Sequence, residues 1–157
     1  MKMNSLLDAP CVRALYRASQ AGVEVQLNVR GICALRPRLP GVSDNIEVVS
    51  IVGRFLEHSR IYSFERSGEP ERVFTGSADL MPRNLYNRVE LVTPVVDPRI
   101  RDQLLDILDR CLADNTNAWV LEGDGTWIRR RPDGAPHNVQ RELMDLHEAR
   151  AAGEPAR

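Results

Sequence analysis

Val23-Glu-Val-Gln-Leu-Asn-Val29 and, sixteen residues further on, Ile46-Glu-Val-Val-Ser-Ile-Val52 are the two stretches that decide the fold. In the first, apolar residues alternate, the period of an extended segment with one buried face. The second is β-branched and nearly continuous, as expected of a strand covered on both sides. Upstream, Asp8 to Gly22 reads as a helix: Asp8 is the N-cap, Pro10 sits in the first turn, Val12 and Leu15 share a face, and Gly22 is the stop. Between the two strands, Arg30 to Asn45 carries Gly31, Pro37, Pro40 and Gly41 and reads as a loop. Loops of that length at strand ends often carry function. Downstream, Arg60 to Phe64 and Arg72 to Thr75 read as strands around the turn Ser67-Gly68, and Val89 to Val92 as another. The pattern predicts a helix from Asp97, with Pro98 at its first position, to Ala113. It predicts a hairpin of Ala118 to Leu121 and Thr126 to Ile128 around Gly123-Asp124-Gly125, and a last helix from Asn138 to Ala151 with Val139, Leu143 and Leu146 inward. Strands mixed with helices predict an α/β domain with a mixed β-sheet flanked by helices. The expected domain spans residues 1–152, with a frayed tail over 153–157.

A chain of 157 residues buries roughly 70% of its unfolded surface, enough for a core without staples or metals. No apolar run approaches the ~18 residues of a membrane helix, and the N-terminus lacks a secretion signal, so a cytoplasmic protein is expected and a transmembrane one is not. Cys11, Cys33 and Cys111 are odd in number and never form a C-x-x-C pair, which signals neither a disulfide framework nor a thiolate metal site. Basic and acidic side chains nearly balance, 21 against 22, which argues against a general nucleic-acid coat. Twenty of the basic residues are Arg and only Lys2 is Lys. Arg suits forked recognition of phosphate, but a GC-rich genome also encodes Arg wherever any positive charge will do.

The sequence contains no G-x-x-x-x-G-K-[ST], no G-x-G-x-x-G and no H-E-x-x-H. Its three histidines, His58, His137 and His147, are not spaced for a metal. The unusual segment is Leu56-Glu57-His58-Ser59-Arg60, leading into Ile61-Tyr-Ser-Phe64. In an extended chain His58 and Arg60 share a face, so an imidazole able to pass a proton near neutral pH stands beside a fixed cation. That pair suits phosphoryl chemistry, and it also suits plain surface decoration at a strand start. Next comes Thr75-Gly-Ser-Ala-Asp-Leu-Met-Pro-Arg-Asn84, then Asn87-Arg88-Val89-Glu90. A histidine, a basic residue two further on, G-S-x-D and an N-x-x-E-like stretch resemble the second catalytic half-motif of the phospholipase D superfamily, in its HxR form.

A closer resemblance covers nearly the whole chain. Leu27-Asn-Val-Arg-Gly-Ile-Cys33, Gly41-Val-Ser-Asp-Asn-Ile46, Ser50-Ile-Val-Gly-Arg-Phe-Leu-Glu-His-Ser-Arg-Ile61 and Ser77-Ala-Asp-Leu-Met-Pro-Arg-Asn84 resemble, in order, blocks of the C-terminal, second phospholipase-D-like domain of the type-1 polyphosphate kinases. That family implies reversible transfer of the terminal phosphate of ATP to inorganic polyphosphate, in a tunnel between two phospholipase-D-like domains. The autophosphorylated histidine belongs to the earlier domain. His58 matches the second histidine, a nucleotide-phosphate ligand and acid, Arg30 and Arg88 fall on nucleotide- or phosphate-contacting arginines, and Arg60 is expected to hold phosphate oxygens beside His58. Mg²⁺ is expected with the nucleotide, its protein ligands lying in the other domains.

Arg30 also stands just past the end of a strand, where open α/β sheets bind ligands. A loop-anchoring salt bridge for Arg30 and an exposed strand-start charge for Arg88 are the plain alternatives. Asp79 and Glu90 are each placed to orient the ring of His58, and Asp79 equally to cap a turn at Met81 to Leu85. Leu80 departs from the Trp usual after S-A-D. Arg129-Arg130-Arg131 is either a polyanion contact or a solvated hairpin edge. Where the chain begins with Met1, the family has several hundred residues, so a domain excerpt, a truncated gene and a free-standing relative are all compatible. The expected partners are ATP or ADP, polyphosphate and the remaining kinase domains in cis or in trans, with no specific nucleic acid; a homo-oligomer is compatible. The alternatives are a non-catalytic nucleotide- or polyphosphate-binding module and a phosphodiesterase completed by dimerisation.

Overall fold

The computed structural model describes residues 1–153. Eight strands form one mixed sheet: β1 (Lys2–Met3), β2 (Val25–Val29), β3 (Ile46–Ile51), β4 (Ile61–Phe64), β5 (Arg72–Gly76), β6 (Val92–Pro94), β7 (Ala118–Leu121) and β8 (Trp127–Arg129), in the order β6-β5-β4-β1-β2-β3-β7-β8. The centre β1-β2-β3 is parallel, and every other pairing is antiparallel. The helices are α1 (Ala9–Gln20), α2 (Pro82–Tyr86), α3 (Pro98–Ala113) and α4 (Val139–Ala151). The α/β class with a mixed, helix-flanked sheet is the one expected.

Parallel strands need cover on both faces. On one face, Val25, Leu27 and Val29 of β2 join Val12 and Leu15 of α1, together with Met3, Val48 and Tyr62. On the other, Ile51, Ala118, Ile61 and Val73 meet Leu108 and Cys111 of α3 and Val139 of α4. Asp8 caps α1 as expected, its carboxylate accepting from Cys11 N–H at 2.9 Å, and Asp97 caps α3 through Arg99 N–H at 2.8 Å.

Four local expectations change. β1 is not visible as a pattern, because two residues carry no period, yet it lies at the centre of the sheet. β2 begins at Val25 rather than Val23; Val23 is half exposed and its N–H still serves α1, donating to Ala18 O. The strand expected at Val89 to Val92 lies at Val92–Pro94, because the preceding residues are held as a loop by Ser77. A short helix, α2, follows Met81. Of the tail expected to fray, 154–157 lie outside the described residues.

The strand directions gather the candidate residues. Asn4, Arg30, the segment 52–60 and Ser77 follow the ends of β1, β2, β3 and β5, while Arg88 and Glu90 precede β6, which runs the opposite way to β5. β1, β2, β3 and β5 all point in one direction. All these residues therefore lie along one edge of the sheet, the carboxyl edge of its parallel strands, where open α/β sheets bind ligands.

Candidate active site

His58 is exposed, in an extended segment leading into β4, and Arg60 is mostly buried beside it. The guanidinium Nη1 lies 3.0 Å from His58 Nδ1 and donates to His58 O at 2.6 Å. The same Nη1 lies 3.4 Å from His58 Nε2, so a guanidinium, which carries donors only, sits against both ring nitrogens. Arg60 turns its other edge to Asp79: Nε donates to Oδ1 at 3.2 Å and Nη2 to Oδ2 at 3.3 Å, a two-point pair between side chains 11% and 4% exposed. Asp79 Oδ1 also accepts from Asn4 N–H at 2.7 Å. With its amide oriented by this network, Asn4 donates to Glu57 O at 2.9 Å and accepts from Arg60.

These contacts correct two expectations. Asp79 does not hold the imidazole, nor does it cap α2, whose N-cap Met81 has no side-chain bond. Its oxygens are taken by Arg60 and Asn4. Glu90 does not hold the imidazole either: it accepts from Ser77 Oγ and Asn84 Nδ2. Those two bonds push its carboxyl below the ordinary range, with the charges of Arg88 and Arg60 adding to the same direction. The G-S-x-D stretch thereby acquires a physical reading. A Cβ on Gly76 would lie 2.1 Å from Leu91 O, so only glycine lets the 88–91 loop cross there. Ser77 Oγ then ties the end of that loop, accepting from Leu91 N–H at 3.1 Å and donating to Glu90.

Arg30 follows β2, its backbone held by Met3 O and Ser50 Oγ. Its side chain is half-buried, and Nη1 is shut away from water with no hydrogen-bond partner among the described residues. The salt bridge weighed above for Arg30 is not formed among those residues. Arg88 is exposed before β6. The Arg run of the second hairpin is largely absorbed by the protein. Arg129 donates to Thr116 O at 2.8 Å, and Arg130 holds the last carbonyls of α3 and pairs with Glu47. Sequence reading missed Lys2, Asn4 and Gln140, three buried polar residues whose partners lie far away in the chain. Lys2, as the only lysine, was the one with a visible signal.

The model of the family described as "Polyphosphate kinase C-terminal domain 2" matches residues 1–140. The chain belongs to that family. It is 52% identical over 144 residues to polyphosphate kinase 1 of Chlorobaculum tepidum, covering 92% of this chain and 20% of that protein. It is 51% identical over 158 residues to a polyphosphate kinase of Rhodopirellula baltica, covering 99% of this chain and 18% of the relative. The crystal structure of polyphosphate kinase from Porphyromonas gingivalis superposes with a TM-score of 0.91 at 43% identity, over 97% of this chain and 23% of that one. The chain thus spans about a fifth of the length of the curated polyphosphate kinases it matches.

Proposed function

We propose that this domain forms one wall of a polyphosphate kinase active site and supplies nucleotide- and polyphosphate-binding groups for reversible transfer of the terminal phosphate of ATP to polyphosphate. Arg30 carries the reading. A buried guanidinium edge without an acceptor is costly, and it is an anion site in waiting. A phosphate oxygen satisfies both its charge and its hydrogen-bonding capacity.

In this reading Arg30, with Arg88 at the rim, balances the charge spread over the phosphoryl group in flight. His58 presents a ring N–H to the phosphate oxygen on which charge develops as the bond to the leaving group breaks. Arg60 acts on His58 rather than on phosphate, since most of its donors are committed to Asp79 and His58. Mg²⁺ belongs to the proposal as a companion of the nucleotide. Among the described residues no cluster of three His, Cys, Asp or Glu side chains is arranged to hold a metal, so its protein ligands are assigned to the other domains. The autophosphorylated histidine comes from another domain, in cis or in trans, and the setting is the cytoplasm, where ATP is made and used. Among the described residues no helix is long and apolar enough to cross a membrane.

Titration calorimetry with sodium tripolyphosphate tests this. Wild-type chain is expected to bind with an affinity that falls steeply as salt rises, and Arg30→Met to lose about 1.5 to 3 kcal/mol of it. Equal binding by wild type and Arg30→Met, or none by wild type, sinks the proposal.

A further inference from the structure

His58 lies in an extended run whose alternate side chains turn opposite ways. His58 and Arg60 face each other on one side. Glu57 and Ser59 turn instead to Lys2, whose Nζ is 3.0 Å from Glu57 Oε2 and donates to Ser59 Oγ at 2.9 Å. From the other end of the chain, Gln140 of α4 grips the same run. Its Oε1 accepts from Phe55 N–H at 2.9 Å, and its Nε2 donates to Phe55 O at 2.8 Å and to Glu57 Oε1 at 2.7 Å. A Cβ on Gly53 would sit 2.6 Å from Gln140 Oε1, so any larger residue there must push the end of Gln140 aside.

Lys2 is 2% exposed and Gln140 7%. Burying an ammonium and an amide is expensive even when both are paired, and apolar side chains at such places commonly give equal or greater stability. Residues 2 and 140 nevertheless converge on Glu57, one position before the histidine. From this convergence we infer that Lys2 and Gln140 are positioning residues for His58. They fix the backbone of residues 55–59 from behind, so that the imidazole is presented at one height and in one tautomer on the open side. This deepens the proposed function, on which the identity of the ligand rests, but the ring geometry it concerns is measurable without any ligand.

The test uses the 157-residue chain, ¹⁵N-labelled, with the ring nitrogens of His58 followed by long-range proton–nitrogen correlation through a pH titration. Wild type is expected to show one dominant neutral tautomer. In Gln140→Met the ring signals move toward a tautomer mixture, and tripolyphosphate affinity falls about tenfold. Leu15→Ala, a core truncation on α1, serves as the control: it lowers the melting temperature and leaves the ring signals in place. A folded Gln140→Met with wild-type ring signals and wild-type affinity overturns the inference. Should Gln140→Met not fold, Gly53→Ala decides in the same way, because its added methyl displaces the end of Gln140; unchanged ring signals there overturn the inference equally. If wild type binds no tripolyphosphate while the ring signals still move in the variants, the proposed function falls and the positioning role stands.

Discussion

Arg60 has five N–H donors in a rigid fork. Three of its bonds, two to Asp79 and one to His58 Nδ1, commit both edges of the fork within the protein. Removing Asp79 leaves a mostly buried cation without its partner, and the expected cost of Asp79→Ala is about 3 to 5 kcal/mol, read as a fall in melting temperature. Arg30 predicts the opposite. Its Nη1 lacks a partner among the described residues, so Arg30→Met should leave the chain at least as stable as wild type in the melt that accompanies the titration. The contrast separates an arginine held by the fold from one free to bind. Glu90 adds a pH dependence. Its carboxyl titrates below its ordinary 4.5, so its tie to Ser77 and Asn84 stabilises the 77–91 loop above that value and is lost as pH falls through the depressed one. The protection of the Leu91 amide, whose N–H donates to Ser77 Oγ, relative to its intrinsic exchange rate at each pH should fall over that acid range and stay flat from pH 5 to 7. Of this chemistry, the His58–Arg60 neighbourhood was legible, because i, i+2 spacing needs only an extended chain. The partners of Asp79 and Glu90 were not, because a carboxylate takes whichever donors three-dimensional proximity supplies.

Asp114 ties several elements together. It follows α3, is fully buried, and its Oδ1 accepts from the N–H groups of Thr116, Asn117 and Ala118 while Oδ2 accepts from Val139 N–H. One carboxylate therefore fixes the end of α3, the start of β7 and the first turn of α4. Each buried N–H left unsatisfied costs about 1 to 3 kcal/mol, so Asp114→Ala should lose about 3 kcal/mol or more, measured by denaturant unfolding. Because α4 carries Gln140, the same variant should loosen the grip on residues 55–59. The main helices and most strands were readable element by element: α1 and α3 announce themselves by Asp caps, prolines in the first turn and one apolar face. β1 was not, since its two residues become a strand only between β2 and β4. The displaced β6 shows the same dependence, as its register follows from Gly76 and Ser77 on a neighbouring strand.

At the scale of the molecule, a sheet with parallel strands at its centre and antiparallel ones on each side brings residues 4, 30, 58, 60, 79, 88 and 90 to one edge. The edge is rich in cations, yet the chain as a whole is nearly neutral, with a formal net charge of −1. Under the proposed function the nucleophilic histidine lies in another domain. This chain, incubated with ATP and Mg²⁺, should then show no phosphate adduct by intact mass; a stoichiometric adduct on His58 would make that residue the nucleophile. The sequence by itself determined the α/β class, the caps and faces of the long helices, the family, and the nearness of His58 to Arg60, all of which depend on periodicity, spacing or ordered blocks along one chain. Only the tertiary structure decided which arginine is spent on a carboxylate and which keeps an unpaired edge. It also decided that Lys2 and Gln140 both reach Glu57 behind His58, because contacts between residues 55 and 83 positions apart follow from strand order and helix packing, which leave no period in the sequence.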